Sequence, residues 1–181
     1  MGRTKEPGPV KLFMSLIFGD EDVLGQALEE LRWAYGEMDF MSEPLPFHFT
    51  DYYTPEMGSP LFRHLVTFDH LIARASLPEI KQATNRLEEK LANDDCRRRI
   101  NIDPGYLCLE HVILATTKAY THRPYLRDGV YADLTLIYRN KSFGPLEWTY
   151  PDYGQNPIMG LFNQFRKEYA EKLKKKEPLS C

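Results

Sequence analysis

The sequence contains little cysteine and no long apolar run, and each shortage excludes a class of protein. Its three cysteines, Cys96, Cys108 and Cys181, are scattered and form neither a disulfide framework nor a zinc-binding spacing. The apolar stretch at residues 12–18 is too short to span a membrane, and no small-residue cleavage site follows it. We therefore expect a cytoplasmic protein that has no membrane partner.

Neither sign of charge predominates, and the common catalytic and phosphate-binding motifs are missing. The 23 Lys and Arg residues and 26 Asp and Glu residues give a formal net charge of -3, which argues against a nucleic-acid partner. The sequence also lacks the glycine-rich phosphate loop, the dinucleotide-binding glycine motif, the Gly-x-Ser-x-Gly elbow and the HExxH zinc motif. No cofactor is indicated, and neither enzymatic activity nor oligomeric state follows from the residues alone.

Hydrophobic periodicity in the first 103 residues predicts alternating strands and helices. Asp20 and Gly36 are typical start and stop residues of one helix, and Ser76 with Glu79 forms a capping box for a second. The predicted elements are a strand at 10–18, a helix at 20–36, an edge strand or extended loop within 40–49, a strand at 63–68, a helix at 76–93 and a strand at 99–103. This is the order of a ferredoxin-like β-α-β-β-α-β core within an α+β protein.

The remaining residues predict a C-terminal antiparallel β-meander followed by a terminal helix. Residues 107–115 fit either a helix or a buried strand. Asp128-Gly129 and Asn140-Lys141 are typical two-residue hairpin turns. The predicted elements are strands at 120–127, 130–139 and 142–150 and a helix from Asn156. Everything belongs to one domain, residues 1–181, and we expect its ends at 1–9 and 175–181 to be flexible.

The two hairpin turns also predict which residues face each other across the meander. In this register His122 faces Thr135 and Trp148 faces Asp133, and side chains alternate along each strand. The residues expected on the polar face are Tyr131, Asp133, His122, Trp148 and Tyr150. Those expected on the opposite, buried face are Val130, Ala132, Leu134, Leu136 and Tyr138. The polar face is either the floor of a ligand site or an ordinary solvated sheet face.

Tyrosines, aspartates and basic residues gather between residues 101 and 153, and such side chains hold polar ligands by hydrogen bonds, charge and ring stacking. Lys118, His122 and Arg123 are natural contacts for an anion, although salt bridges to nearby aspartates explain them equally well. The predicted ligand-binding residues are Asp51, Tyr52, Tyr53, Glu56, Asn101, Tyr106, Lys118, Arg123, Tyr125, Tyr131, Trp148 and Tyr150. No metal ligands are assigned, because the histidines and carboxylates lack a metal-binding spacing.

Several of these candidates are expected to converge in one concavity, because their loops lie at or near strand ends, where sites tend to form. The converging residues are Asp51, Tyr53, Asp103, Lys118, His122 and Tyr150.

Three functions are compatible with these residues. The first is binding of a small anionic molecule, such as a nucleotide or phosphorylated metabolite, in a cleft lined by Tyr, Asp, His and Arg. The second is a metal-assisted hydrolase or transferase whose catalytic residues are Asp103, His122 and Asp133. The third is a protein-interaction module that uses a tyrosine-rich sheet face.

Short motifs spread over nearly the whole chain carry a family resemblance. They lie at residues 9–13, 49–53, 56–58, 101–106, 118, 122–126, 129–132 and 148–153. Together they resemble an uncharacterised bacterial family, domain of unknown function 4416, which implies a cytoplasmic single-domain protein without a known activity. Some members are labelled GTP-binding, but Asn140-Lys141-Ser142-Phe143 is not the Asn-Lys-x-Asp guanine reader. Members often have Ala-Glu where this chain has Ala132-Asp133.

Overall fold

The computed structural model describes residues 2–176, in which strands and helices are mixed. The strands are β1 (Val10–Phe18), β2 (Met38–Met41), β3 (Leu45–Phe47), β4 (Leu61–Ile72), β5 (Ile100–Leu107), β6 (His111–Thr116), β7 (Tyr125–Arg127), β8 (Val130–Arg139) and β9 (Ser142–Pro145). The helices are α1 (Glu21–Tyr35), α2 (Thr54–Met57), α3 (Leu77–Lys90) and α4 (Asn156–Lys176). The α+β class is confirmed. The flexibility predicted for Met1 and for residues 177–181 lies outside the described residues.

The strands join in one antiparallel sheet. Its order is β2-β4-β1-β5-β6-β8-β7, with β3 also paired to β4 and β9 paired to β8. The short strands β2 and β3 occupy the edge beside β4, as expected for the region around Pro44 and Pro46, because proline cannot donate a ladder hydrogen bond. The more specific ferredoxin-like assignment stays a prediction.

Strand β1 lies in the interior of the sheet, and all nine of its residues are buried. Leu12, Met14 and Leu16 point to the face that α1 and α3 cover, where they join one apolar cluster. Phe13 and Ile17 point to the opposite face and belong to two other clusters. Cover on both faces explains why β1 is apolar at every position except Lys11 and Ser15 rather than alternating.

Helix α4 packs on the second face through the stripe predicted from its sequence. Ile158, Phe162, Phe165 and Tyr169 are buried in a cluster that also contains Phe13 of β1. The helix begins at Asn156, as predicted. Within residues 2–176 no helix is long and apolar enough to cross a membrane.

The helix caps agree with the sequence at one of the two predicted positions. The Asp20 carboxylate accepts hydrogen bonds from the backbone N–H groups of Asp22 and Val23, which confirms it as the cap of α1. The capping box at Ser76 and Glu79 is wrong, because Ser76 makes no side-chain cap hydrogen bond. A single 3-10 turn precedes α3 instead, and Glu79 forms an ion pair with an arginine.

The meander is present, but two of its strands are shorter than predicted. Both turns hold, because Arg127 pairs with Val130 and Arg139 pairs with Ser142. The predicted strands at 120–127 and 142–150 are limited to Tyr125–Arg127 and Ser142–Pro145. The predicted pairings of His122 with Thr135 and of Trp148 with Asp133 are therefore wrong. For the ambiguous residues 107–115, the structure shows the end of β5 and most of β6 rather than a helix.

A register irregularity between β6 and β8 changes the predicted faces of β8. Val112 pairs with Leu136 and Ile113 pairs with Leu134, so Thr135 is an extra residue on β8. Leu136 consequently joins the α4 cluster, whereas Val130, Ala132 and Leu134 pack with Leu77 at the start of α3. The predicted single buried face of 130, 132, 134, 136 and 138 is wrong. Asp133 is itself buried rather than lying on a solvated sheet face.

Candidate functional site

A cleft of about 330 Å³ lies on the α4-covered face of the sheet, between the loop after β3 and the loop that leads into α4. Its floor comes from β4, β5, β6 and β8, which contribute Arg63, Asp103, Leu114 and Asp133. The full lining is Phe47, Phe49, Thr50, Tyr52, Tyr53, Arg63, Asp103, Leu114, Ala115, Thr116, Lys118, Asp133, Tyr150, Pro151, Asp152 and Tyr153. Polar groups thus lie among aromatic rings, as in many small-molecule sites.

The closed end of the cleft, formed by Phe47, Arg63, Asp152 and Tyr153, is almost inaccessible to solvent. The Arg63 Nη1 atom lies 2.5 Å from Asp152 Oδ2. The guanidinium carbon lies 4.8 Å from the centre of the Phe47 ring and 5.0 Å from that of Tyr153. Arg63 Nε has no hydrogen-bond partner among residues 2–176, and the Tyr153 hydroxyl lies beside the Ser15 hydroxyl. Burial raises the pKa of Tyr153, so its hydroxyl stays protonated.

Asp103 occupies the middle of the cleft as an ionised carboxylate. Strand β6 pairs with β5 only from Gly105 onward, and Pro104 has no N–H to donate. Asp103 therefore lies beyond the part of β5 that is paired with β6. Lys81 reaches Asp103 from α3 with an Nζ–Oδ1 distance of 3.1 Å, and Asn101 Nδ2 donates to Oδ2 at 2.7 Å. Burial opposes the charge, but Lys81, Asn101 and Arg63 outweigh it and hold the pKa of Asp103 below its usual range.

Two further tyrosines surround Asp103 and are kept neutral. Burial raises the pKa of Tyr53, and the negative charge of Asp103 raises it further. Burial is also the main cause of the raised pKa of Tyr150. Neutral hydroxyls next to an ionised carboxylate give the middle of the cleft both donors and an acceptor.

Arg123 connects three segments behind the cleft wall. Its Nε donates to Asp133 Oδ2 at 2.8 Å, its Nη2 donates to the Tyr150 hydroxyl at 2.8 Å, and its Nη1 donates to the Lys118 carbonyl at 3.1 Å. His122 Nε2 lies 3.6 Å from the same Asp133 oxygen, and the His122 ring stacks on Trp148 with centroids 5.0 Å apart. The other Asp133 oxygen, Oδ1, has no partner in the described part of the chain.

The mouth of the cleft is formed by Phe49, Tyr52, Lys118 and Tyr150, all of which are exposed. Lys118 Nζ donates to the Tyr52 hydroxyl at 3.2 Å and lies 4.3 Å from the centre of that ring. The hydrogen bond from Lys118 lowers the pKa of Tyr52, and Arg98 contributes to the shift. No carboxylate among residues 2–176 lies within 4.0 Å of the Lys118 ammonium group.

The structure brings some of the predicted site residues together and separates others. The predicted residues that line the cleft are Tyr52, Tyr53, Asp103, Lys118, Asp133 and Tyr150. Behind the lining, Arg98 donates hydrogen bonds to both Glu56 and Asn101. On the opposite side, Arg123 donates to Asp133, and His122 stacks on Trp148. Of the six residues expected to converge, Asp51 and His122 are outside the lining. Their roles in binding stay predictions.

Three predicted residues lie away from the cleft. Tyr106 contacts His111, with its hydroxyl 3.5 Å from the imidazole Nε2. Tyr125 and Tyr131 pack against each other near the edge strand β7, with ring centroids 5.3 Å apart. None of these rings contributes to the lining. The tyrosine-rich stretch therefore divides between two regions of the surface.

The predicted site residues included none of the four that form the closed end, namely Phe47, Arg63, Asp152 and Tyr153. Arg63 gave a usable signal, since it lies between Leu61 and Leu65 at an inward-facing strand position. A charged residue at such a position is rarely buried without a partner, so it predicts a buried ion pair. The partner Asp152 is distant in sequence and could not be identified from spacing.

The described residues contain no group of three or more His, Cys, Asp or Glu side chains positioned to hold a metal ion. Asp103, His122 and Asp133 therefore do not form such a group. His122 is separated from the cleft by its stacking on Trp148 and by the Asp133 and Arg123 side chains.

Comparison with protein families gives a match over residues 8–169 to the family described as Domain of unknown function (DUF4416). Because the match covers most of the chain, the chain belongs to this family, and the resemblance predicted from the sequence is confirmed. Comparisons with curated proteins and with solved structures give no match. The family description names no ligand or reaction, so the contents of the cleft decide which function is supported best.

Proposed function

We propose that this DUF4416 protein binds a small anionic molecule, a nucleotide or another phosphorylated metabolite, in the cleft. One observation carries the proposal: the exposed Lys118 ammonium group lies at the mouth of a cleft with aromatic walls, and no carboxylate among residues 2–176 lies within 4.0 Å of it.

The charge of the ligand follows from which cations are already neutralised. Arg63 is paired with Asp152, Lys81 with Asp103, and Arg123 with Asp133. Lys118 has no such carboxylate and lies at the mouth, where a phosphate or carboxylate group can reach it from solvent. An anionic group at Lys118 gains a charge-assisted hydrogen bond without displacing an existing ion pair.

The size and walls of the cleft support a small molecule rather than a polymer. Its volume of about 330 Å³ is at the lower end of the range of roughly 300–1,000 Å³ for ligand pockets. Phe47, Phe49, Tyr52 and Tyr53 provide ring faces and edges on one wall. We further propose a cytoplasmic location, which the exposed, unbridged thiol of Cys96 supports.

Binding is tested by a thermal-shift screen with nucleotides, sugar phosphates and inorganic phosphate, followed by calorimetry on the compounds that raise the midpoint. We expect Lys118→Ala to weaken binding on the order of tenfold, because it removes a charge-assisted hydrogen bond. Lys167→Ala, which removes an exposed lysine of α4 that is not part of the cleft lining, is the matched control and should bind like the wild type. The proposal fails if no compound binds, or if the two variants bind equally.

The two other functions considered from the sequence have less support. A metal-assisted reaction would need Asp103, His122 and Asp133 at one ion, and His122 instead stacks behind the wall. An interaction module on the polar face of β8 would need that face to be accessible, whereas Asp133 and Thr135 are buried. No specific observation favours either over ligand binding.

A further inference from the structure

Asp103 is the carboxylate of the cleft lining that a ligand is able to reach. The lining contains three aspartates, and the Asp103 side chain is 33% exposed, against 2% for Asp133 and 7% for Asp152. The two buried aspartates are each paired with an arginine. Of the three, Asp103 therefore presents accessible carboxylate surface to the cleft.

The Asp103 carboxylate has acceptor capacity left for a ligand. Lys81 Nζ donates to its Oδ1 atom at 3.1 Å, and Asn101 Nδ2 donates to its Oδ2 atom at 2.7 Å. An ionised carboxylate accepts about four hydrogen bonds and donates none. The ligand group that meets Asp103 must therefore be a hydrogen-bond donor.

The charges around Asp103 favour a neutral donor over a cationic one. The Lys81 ammonium group, whose side chain is buried, already pairs with Asp103. Arg63 is likewise paired with Asp152 in the same cleft. A ligand ammonium group would add a positive charge without a partner of its own, and a partly buried unpaired charge is costly. A neutral O–H or N–H group has no such cost.

Tyr53 places a second polar group beside Asp103. Both residues line the cleft, and after burial the negative charge of Asp103 is the largest contribution to the raised pKa of Tyr53, so the tyrosine hydroxyl stays protonated. An alcohol group donates to a carboxylate and accepts from a tyrosine at the same time, whereas a carbonyl only accepts and an ammonium group only donates. The surroundings of Asp103 thus match a hydroxyl group of the ligand.

One small molecule is able to contact both Asp103 and Lys118. Gly105 pairs with Leu114 in the β5–β6 ladder, and continuing this register places Asp103 beside Thr116. Lys118 follows Thr116 by two residues, and both line the cleft. With a rise of about 3.3 Å per residue and about 4.8 Å between strands, the Cα atoms of Asp103 and Lys118 lie roughly 8–10 Å apart. A sugar-sized ligand spans the space between these side chains.

We infer that the ligand is a phosphorylated sugar or polyol, the sugar of a nucleotide included, which binds with its phosphate at Lys118 and a hydroxyl group at Asp103. The hydroxyl group donates to the Asp103 carboxylate and accepts from the Tyr53 hydroxyl. This inference rests on the proposed function and adds the chemical class and the orientation of the ligand. Phosphates without a hydroxyl group leave the Asp103 carboxylate without its ligand donor and bind more weakly.

Two phosphates with the same ring test this inference by calorimetry on the wild-type protein. The first, 1,4-anhydroribitol 5-phosphate, carries two neighbouring hydroxyl groups on a five-membered ring. The second, tetrahydrofurfuryl phosphate, has the same ring and phosphate without these hydroxyl groups. We expect the diol to bind on the order of tenfold more tightly, because it hydrogen-bonds a charged acceptor. A third compound, in which an amino group replaces one hydroxyl group of the diol, should bind no more tightly than the diol.

Variants assign the preference for the diol to Asp103. Asp103→Asn removes the charge but keeps the size of the side chain, so the ratio of the two affinities should fall several-fold. The ratio is the readout, because a change of charge in the cleft alters the binding of both phosphates. Tyr53→Phe leaves the Lys81–Asp103 pair in place and should also lower the ratio, which provides a second test if Asp103→Asn does not fold. Asp69→Asn, which removes an aspartate paired with Lys172 outside the cleft lining, is the matched control and should leave the ratio unchanged.

The outcomes separate this inference from the proposed function. Equal binding of the two ring phosphates by the wild type, tighter binding of the amino compound, or an unchanged ratio in Asp103→Asn or Tyr53→Phe overturns the inference while phosphate binding stands. Failure of all three compounds also overturns it when other phosphates bind. If no phosphate of any kind binds, both the inference and the proposed function are overturned.

Discussion

Replacing Arg123 by methionine should destabilise the fold strongly, because it isolates a buried carboxylate. Asp133 is 2% exposed and receives a hydrogen bond from Arg123 Nε at 2.8 Å. Breaking a buried ion pair by removing one partner typically costs about 3–5 kcal/mol. His122 lies 3.6 Å from Asp133 and offers a second partner, so we expect a loss near the lower limit, about 3 kcal/mol.

The assay is urea unfolding of Arg123→Met, Asp133→Asn and the double variant. The dependence of the free energy of unfolding on urea concentration is compared between them. The double variant contains neither charge, so its loss should be smaller than the sum of the two single losses by about 2 kcal/mol. Arg127→Met is the matched control: Arg127 pairs with Glu79 and Asp128 in solvent, so its loss should be close to zero. An additive double variant, or an Arg123 loss as small as the Arg127 loss, would show that Arg123 does not compensate the buried charge of Asp133.

Two further predictions concern buried and crowded positions. Burial raises the pKa of Glu88 to about 7, so the folded state holds an extra proton and loses stability as pH rises from the pKa of the unfolded chain towards 7. Urea midpoints measured between pH 5 and pH 7.5 should therefore decline less with pH in Glu88→Gln than in the wild type. An unchanged dependence of the midpoint on pH would contradict this prediction. Gly105→Ala should lower the free energy of unfolding by about 1–3 kcal/mol, because the added Cβ would lie 2.4 Å from the Ile113 carbonyl oxygen. The control Gly25→Ala in α1 adds a Cβ with no atom within 4 Å and should stabilise the fold by about 0.5–1 kcal/mol. Equal thermal midpoints for the two variants would show that Gly105 is not crowded.

Local signals account for the elements that the sequence predicted well. The cap at Asp20 is formed within four residues, and both hairpin turns place their central residues at positive φ, as at Asn140 and Lys141. Such features depend on neighbouring residues alone. The prediction of α1 and of the two turns therefore needed no knowledge of the rest of the fold.

Features that depend on pairing between strands distant in sequence were harder to predict from the sequence. The extra residue at Thr135 is imposed by the register with β6, and a single inserted residue moves every later side chain to the other face. The sequence around 130–139 alternates without a sign of this shift. The predicted faces of β8 consequently failed beyond the bulge, although its turns were right.

The candidate site was predictable in composition but not in assembly. Asp103, Lys118 and Tyr150 were expected to lie together because polar loop residues near strand ends often converge, and they line one cleft. Arg123 was expected to meet a ligand, yet each of its three nitrogens already donates a hydrogen bond, to Asp133, Tyr150 and the Lys118 carbonyl. Only the three-dimensional contacts distinguish Lys118, a cation without a carboxylate partner in the described residues, from Arg123, whose hydrogen bonds stabilise the cleft wall.

A crystal structure of the protein soaked with the phosphate compound that binds most tightly tests whether the cleft is the binding site. We predict ligand density in the cleft, with an anionic oxygen within hydrogen-bonding distance of Lys118 Nζ and the aromatic side chains of the walls around the body of the ligand. Density for the ligand at any other surface, with the cleft unchanged, would show that this cleft is not the binding site.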